Sequence, residues 1–500
     1  MNHAICRTIE KWPEQLAVVG ADLRWTYAQL GYESGLLEER LREAGSKKGE
    51  RAILWLKNSH LYVAAYVAVL GLEGVVVAVH SESMISEVLK TIAHVKAACI
   101  ITTSAKWEKH EEAFRKSGLK FALLPNSSVS LGSGDSERAP EGLAQILYTS
   151  GTTGSPKGVM LSHENLAANV QSILARLALT PSDAIVAVLP FVFSYGNSVL
   201  LTHLFVGAKI IIEENLLYAH CVLQSMKKET ATGFSGVASN YAFLLRESGF
   251  QSAKLPSLKY MTSAGGPMPQ ALLARVRGAF PKASFHVMYG QTEATARITM
   301  LCPEELDRKS GSAGRPVPGI SLKIMNEEGK PVPPGTRGEI AVAGNNNMQG
   351  YWRDEEATAA KLKDGWLFTG DLGFVDEEGF LFITGRQSEM IKTGGFRVSP
   401  EEIEELLLEQ EDVLEAGVAG VPDDLLGEVA VAGVVLKPGR AISNRSLIAY
   451  CTSHLAPFKR PKAIYRLSRI PRSPNGKILR RTLGEELSAL HQQMIQKPEG

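Results

Sequence analysis

The chain has 500 residues, too many for a single hydrophobic core, so two or more domains are expected. Hydrophobic residues make up 44% and charged residues 21%, as in ordinary soluble globular proteins. Lys plus Arg (54) nearly balance Asp plus Glu (53), and the net charge of +1 argues against a broad nucleic-acid-binding face or a polybasic membrane anchor.

The N-terminus, Met1 to Arg7, carries no apolar signal core. The five cysteines (Cys6, Cys99, Cys221, Cys302, Cys451) are far apart and form no CxxC pair, which points to reduced thiols in a cytoplasmic protein. Leu61 to Val79 is 19 residues long and almost wholly apolar, close to a membrane span. Gly71, Glu73 and Gly74 interrupt it, and the β-branched run Val75 to Val79 follows, so a buried helix, a turn and a buried strand are predicted instead. Helical stretches alternate with the strands Arg51 to Leu56, Val75 to Val79 and Ala98 to Thr102, which predicts βαβ units and a largely parallel sheet.

Asn126 to Glu141, rich in Ser, Gly, Asp and Pro, is predicted as a surface loop. Ala144 to Tyr148 is predicted as a strand, followed by a Gly/Thr/Ser loop and then a helix start at Ser162-His-Glu-Asn165. A second alternating block runs from Ile185 to about Gly290, and the Gly- and Pro-rich segment Gly314 to Gly350 predicts an antiparallel, barrel-like portion. Ser399-Pro-Glu-Glu402 combines an N-cap, a first-turn Pro and a capping Glu402, and the helix it starts turns Ile403, Leu406 and Leu407 inward. Strands at Ala416 to Val421 and Glu428 to Val435 and a helix near Ser446 to His454 complete a small α+β unit.

The chemistry is concentrated in Tyr148-Thr-Ser-Gly-Thr-Thr-Gly-Ser-Pro-Lys-Gly158. Glycines let backbone N–H groups turn toward an anion, while hydroxyls and Lys157 add donors, so the loop is a phosphate cradle. It is not a Walker A loop, because Pro156 precedes Lys157 and Gly158 follows it. No GxGxxG after a strand, HExxH or GxSxG is present.

The loop resembles the signature of the adenylate-forming superfamily, which includes acyl-CoA synthetases, adenylation domains of peptide synthetases and beetle luciferases. Leu23 to Leu30 (LRWTYAQL) is similar to its N-terminal motif, Tyr289-Gly-Gln-Thr-Glu293 to its YGxTE, and Thr369-Gly-Asp371 to its TGD. Gly385-Arg386 with Lys392 to Arg397 (KTGGFR) resembles its hinge and glycine hairpin, and Pro474-Asn-Gly-Lys477 its PxxGK. These motifs follow one another in the family's order and spacing.

The resemblance implies an α/β and α+β fold: a large N-terminal domain (1–386) of two stacked mixed βαβ sheets plus a barrel-like portion, and a small mobile C-terminal domain (387–500). It implies ATP-dependent activation of a carboxylic acid to acyl-AMP, then transfer to a thiol, with Mg²⁺ and CoA. Thr149, Ser150, Gly151, Thr152, Thr153, Gly154 and Lys157 would cradle the β- and γ-phosphates. Gly265, Tyr289, Gly290, Gln291 and Thr292 would adjoin the nucleotide, and Thr292 would touch the α-phosphate. Glu293 would hold Mg²⁺, for which a carboxylate oxygen is suited; the plainer reading is a helix-start carboxylate. Asp371 would accept both ribose hydroxyls and Arg386 would contact ribose or phosphate; a turn aspartate and a surface ion pair are the alternatives. Lys477 would bridge the carboxylate and the α-phosphate.

For the second step, Gly394 and Gly395 would shape a pantetheine tunnel, and Ser388 stands where the family's hinge usually has Asp or Lys. Phe193 replaces the His of the family's PxxHxxG segment; it lines the acyl passage or is simply core. By motif adjacency the acyl pocket takes Phe193, Ser194, Gly236, Ala264, Gly266 and Arg297, small or apolar apart from the arginine. Arg297 reaches a second polar group of the substrate or pairs with a structural acid. No Asp or Glu lies between Asp183 and Glu213, which argues against an α-amino acid substrate. Lys459, Arg460, Lys462, Arg469 and Arg472 either meet CoA phosphates or an acidic carrier protein, or form a solvated face. Three functions share the framework: an acid–CoA ligase, a ligase loading a separate carrier protein, and a luciferase-type oxygenase.

Overall fold

The computed structural model describes residues 1–495 except 44, 117–119, 124–128, 134–138, 150–155, 214–218, 247–253, 388, 394–395, 424–425 and 474–475. Two large mixed sheets form the body of the N-terminal part. In the nine-stranded sheet, Leu16–Val19, Lys209–Ile212, Ala184–Ala187, Gly233–Gly236, Tyr260–Ser263 and Ser284–Tyr289 run parallel, with antiparallel strands at both edges. In the eight-stranded sheet, Leu143–Thr149, Val75–Ala78, Arg51–Leu54 and Cys99–Ile101 form the parallel centre.

The helices His60–Gly71 and Ser194–Val206 are buried along most of their length, and both lie in the core cluster shared by the two sheets. That burial explains the long hydrophobic run near residue 70: helix, turn and the strand Val75–Ala78. Among the described residues no helix is long and apolar enough to cross a membrane.

Two local expectations need correction. The stretch Asn126 to Glu141 is not all loop, since Val129–Ser133 is a strand antiparallel to Cys99–Ile101. The Gly/Thr/Ser loop does not lead directly into a helix: the strand Lys157–Ser162 intervenes, antiparallel to Leu143–Thr149 with Thr149 opposite Lys157. The helix His163–Leu177 then starts where expected, with the Ser162 hydroxyl accepting from the Asn165 N–H and Asn165 Oδ1 from the Ser162 N–H.

The barrel-like portion is a five-stranded antiparallel sheet built from Ile320–Met325, Gly338–Gly344, Leu362–Lys363, Trp366–Val375 and Leu381–Arg386. A separate five-stranded sheet carries the C-terminal part, with Val413–Asp423 and Gly427–Leu436 paired along their length. It has its own core, including Ile391, Ile403, Leu407, Val418 and Leu447. The helix Pro400–Leu408 has Ser399 at its N-cap, but the cap is not the predicted one. The Ser399 hydroxyl donates to Glu401 Oε2 at 2.7 Å, and Glu402 pairs with Lys459 at 2.6 Å. Leu406 is half-buried rather than turned fully inward.

Candidate active site

Of the motifs singled out in the sequence, Tyr289 to Glu293, Thr369 to Asp371, Arg386 and Lys477 come together past the C-terminal end of the parallel strand Ser284–Tyr289, the side on which open α/β sheets bind ligands. Asp371 and Arg386 face each other across adjacent antiparallel strands. Arg386 Nε donates to Asp371 Oδ1 at 2.6 Å and the Tyr289 hydroxyl donates to Oδ2, also at 2.6 Å. Asp371 is buried, and its charge together with that hydrogen bond holds the guanidinium pKa above its ordinary value. Each carboxylate oxygen keeps a lone pair for a further donor, as recognition of two neighbouring hydroxyls requires.

Glu293 sits on the short turn Thr292–Ala294 that ends the nine-stranded sheet's central run. Gly290 makes the turn possible, since a Cβ there would lie 1.6 Å from the Ala296 carbonyl oxygen. Thr295 is held at φ +66, a costly conformation for a β-branched residue. Neighbouring backbone clamps it: Thr295 Oγ1 donates to the Asn346 carbonyl, Asn346 Nδ2 to the Ala294 carbonyl, and the Met348 N–H to the Glu293 carbonyl. The clamp sets Glu293 half-buried, accepting from the Tyr351 hydroxyl at 2.9 Å. It is therefore not an idle surface carboxylate. Its other oxygen suits Mg²⁺, which binds through one or two carboxylates together with substrate phosphates.

Lys477 arrives from the C-terminal part on a turn closed by the Ser473 N–H donating to the Lys477 carbonyl. Gly476, at φ +81, lets this turn rest on Val237 and Ser239, just past the strand Gly233–Gly236. The ammonium keeps access to solvent, yet the surrounding cleft and Arg386 lower its pKa, while Asp371, Glu293 and Glu389 act the other way. Four groups from the two parts of the chain thus share one electrostatic environment: Lys477, Arg386, Asp371 and Glu293.

Of the phosphate loop, Thr149 and Lys157 are described, while Ser150, Gly151, Thr152, Thr153 and Gly154 lie outside the described residues, as do Ser388, Gly394 and Gly395. Lys157 Nζ lies 3.6 Å from Asp354 Oδ2 and 5.1 Å from the centroid of the Tyr351 ring. Thr292 Oγ1 donates to Ser194 Oγ at 3.2 Å, and Gln291 Nε2 is buried with no acceptor among the described residues.

On the acyl side, Phe193 is half-buried at the N-cap of Ser194–Val206 and stacks on His80, with ring centroids 5.7 Å apart. It is thus not a core residue, and an imidazole absent at position 193 lies on its face. Gly236 ends its strand, and Ala264, Gly265 and Gly266 follow Tyr260–Ser263, with Gly265 at φ +85 against Val237 and Gly266 in open space. Arg297 is buried, its guanidinium 5.4 Å from the Tyr195 ring centroid, and among the described residues it pairs with no structural acid. The basic cluster is largely committed: Lys459 pairs with Glu402, Arg472 with Glu415, and Arg460 donates to the Leu455 carbonyl, which leaves Lys462 and Arg469 exposed.

Sequence reasoning missed Tyr351, Asn346, Asp354 and Lys361. Lys361 is half-buried with its Nζ 2.8 Å from where a Cβ on Gly370 would be, and burial lowers its pKa against the pull of Glu293, Glu339 and Asp371. None of these four lies in a recognisable motif. A cleft of about 1090 Å³ lies on the other side: Leu372, which neighbours Asp371 on its strand and so faces the other way, lines it with Phe368, Gln387, Glu401 and Glu402.

Known proteins are similar to this chain over nearly its whole length. The family model described as AMP-binding enzyme matches residues 5–352, and the one described as AMP-binding enzyme C-terminal domain matches 402–477. The chain is 32% identical over 480 residues to a 2-succinylbenzoate–CoA ligase of Bacillus cytotoxicus, covering 95% of this chain and 96% of that one. The o-succinylbenzoate CoA synthetase of Bacillus subtilis in complex with its acyl-adenylate intermediate superposes with a TM-score of 0.83 at 30% identity, covering 96% of this chain and 97% of that one. The same synthetase has been solved with ATP and a magnesium ion, again at a TM-score of 0.83 and 30% identity, with coverage of 96% and 98%. ATP-bound MatB from Rhodopseudomonas palustris gives a TM-score of 0.88 at 28% identity, covering 98% of this chain and 99% of that one.

Proposed function

The chain belongs to the AMP-binding enzyme family, and from that premise we propose which residues carry its two half-reactions. It is an ATP- and Mg²⁺-dependent ligase that converts a carboxylic acid to its acyl-adenylate with release of pyrophosphate, then transfers the acyl group to the thiol of CoA. The observation that carries the assignment is the convergence of Lys477 with Arg386, Asp371 and Glu293.

In the first half-reaction an oxygen of the substrate carboxylate attacks the α-phosphorus of ATP and the bond to the pyrophosphate oxygen breaks. Both reactants are anionic, so the site has to place positive charge between them. Lys477 does this, donating to the attacking oxygen and to an α-phosphate oxygen, and Thr292 donates to the same phosphate. Thr149, the loop Ser150 to Gly154 and Lys157 hold the β- and γ-phosphates, with Thr152 a direct donor. Asp371, oriented by Tyr289 and Arg386, accepts from the ribose hydroxyls. Glu293 is the protein ligand that would hold Mg²⁺, whose charge neutralises the triphosphate.

In the second half-reaction residues 387–500 rotate about Ser388, withdrawing Lys477 and bringing Gly394 and Gly395 to line the thiol's approach. A Gly395→Leu variant would then lose thioester formation while keeping acyl-AMP formation. The acid lies against Phe193, Ser194, Gly236, Ala264 and Gly266, surroundings that suit an aromatic or aliphatic acyl group. The names of the curated relatives make 2-succinylbenzoate the first acid to try. Its place of action is the cytoplasm, where ATP and CoA are supplied and the free thiols stay reduced.

The test is a pyrophosphate-release screen over a panel of acids, run with CoA and, separately, with holo carrier proteins. Acid-dependent release with an acyl-CoA product supports the reading. Release that yields thioester only on a carrier protein would overturn the choice of acceptor.

A further inference from the structure

Arg297 follows directly from the clamped turn that carries Glu293, and the chain past Thr295 sends its side chain beneath Tyr195. Its backbone is fixed: the carbonyl accepts from Asn169 Nδ2 at 2.9 Å, and the next residue's N–H donates to the Tyr289 carbonyl. Its side chain is not satisfied. The residue is 2% exposed, and among the described residues neither Nε nor Nη1 has an acceptor. No Asp or Glu among the described residues lies within ion-pair distance. The Tyr195 ring supplies a face 5.4 Å away, but its hydroxyl is turned to Thr262, to the carbonyl at 2.9 Å and Oγ1 at 2.7 Å. A guanidinium cannot escape the cost of burial by losing its proton, as a lysine can. Buried donors are almost always paired, and a buried cation with two donor nitrogens left without an acceptor calls for an anion from outside the fold.

The acyl pocket is the source of that anion. Tyr195 packs against the cluster of Ala264, Met288, Met300 and Val317, so its ring joins the arginine to the cluster that holds the pocket residue Ala264. Ser194, next in the chain, is bonded to Thr292 of the nucleotide motif. A substrate with its reacting carboxylate near Thr292 therefore extends its other end toward Arg297.

We propose that Arg297 is a specificity-determining residue that pairs with a second carboxylate at the far end of the acid, so that the enzyme activates dicarboxylic acids. This rests on the acid-activating reading above. A carboxylate supplies both the acceptor oxygens and the negative charge that the buried guanidinium lacks, which a hydroxyl or amide cannot match in charge.

The test uses matched pairs of non-hydrolysable acyl-sulfamoyl adenosines, one member ending in carboxylate and the other in methyl, with aliphatic acyl groups of graded length and one aromatic pair. Each is titrated calorimetrically into wild-type enzyme, Arg297→Met and Arg297→Lys, with thermal unfolding to verify folding. In at least one pair the wild type should bind the carboxylate-ended member about 10²-fold tighter or more, a preference lost in Arg297→Met. Arg297→Lys keeps the charge on a single nitrogen and should retain part of the preference, which keeps the test open if the Met variant fails to fold. Equal binding of both members in every pair, or a preference that survives in Arg297→Met, would overturn the role of Arg297 while leaving adenylate formation intact. Binding of neither member of any pair would overturn both.

Discussion

Arg386 Nε donates to Asp371 Oδ1 at 2.6 Å from the directly opposed position of the neighbouring strand, so the strand register itself positions the carboxylate. Tyr289 holds the other oxygen at 2.6 Å. Asp371→Ala removes the ribose acceptor and leaves Arg386 without its partner, and should raise the KM for ATP by about 10²-fold. Tyr289→Phe removes one neutral donor and should raise it only about three- to ten-fold. Acid-dependent ATP–pyrophosphate exchange measures both, and an equal effect of the two changes would contradict this hierarchy.

Lys477 reaches the nucleotide residues only through the turn that Gly476 rests on Val237 and Ser239. Lys477→Ala should slow acyl-AMP formation by about 10²- to 10³-fold, the usual consequence of removing a donor aimed at developing charge. Thioester formation from preformed acyl-AMP should change by less than about threefold, because the proposed rotation removes the lysine before that step. Single-turnover measurements of each half-reaction distinguish the two. Equal loss in both would reject the assigned role.

The parts of this molecule that could be read in advance are those where neighbours in sequence are neighbours in space. The helix–turn–strand from His60 to Ala78 shows in its run of apolar residues, and the start at Ser162 in its capping box. The strand Lys157–Ser162 was hidden because Lys157 and Gly158 belong to the polar loop by composition, while their pairing partners lie across a hairpin. Likewise Tyr351 bonds Glu293 from 58 positions away, and Lys361 meets Gly370 through the packing of one helix end on a strand. Such contacts leave no local periodicity. Arg297 was assigned to the acyl pocket by motif adjacency, whereas the absence of a structural acid beside it among the described residues is a tertiary fact.

Lys361 offers a test of those missed contacts. It faces Glu293, Glu339 and Asp371, and its removal leaves three carboxylates with less opposing charge. Lys361→Met should raise the KM for ATP about three- to ten-fold with kcat little changed, as expected for a charge that supports nucleotide binding without meeting the reacting atoms. Steady-state kinetics at saturating acid and CoA decide it. A fall in kcat at unchanged KM would place Lys361 in the chemical step instead.

Arg480 holds the C-terminal part together near the proposed hinge, pairing with Glu389 at 2.5 Å, Glu401 at 2.6 Å and Glu404 at 2.5 Å. Glu404 is buried and its pKa is pushed up to about 7 by that burial, against the pull of Arg480. Arg480→Leu strands these carboxylates and should cost about 3–5 kcal/mol. Arg480→Lys should recover little, since one ammonium cannot span three partners that a guanidinium fork reaches. Urea unfolding of the full chain measures the loss, and a Lys variant as stable as the wild type would show that charge alone suffices.

His203 makes stability depend on pH. Its Nδ1 lies 2.7 Å from the Val199 carbonyl, which only accepts, so Nδ1 carries the proton. Nε2 must then accept from the Tyr260 hydroxyl at 2.8 Å, and the ring is neutral. Burial, with Arg297 nearby adding to it, pushes the pKa down to about 4. An unfolded histidine titrates near 6.5. Because the folded value is the lower one, the stabilisation is present above about pH 6.5 and is lost as the pH falls toward 4, by roughly 2 kcal/mol between pH 7 and pH 5. His163 and His286, also pushed down to about 4 by burial, add to the slope. In His203→Asn the fall in urea-unfolding stability from pH 7 to pH 5 should shrink by about that amount, whatever the variant's stability at pH 7. Arg297→Met should also flatten it, because without the neighbouring positive charge His203 protonates in the folded state at a higher pH. Coincident pH slopes for wild type and His203→Asn would show that the acid sensitivity arises elsewhere.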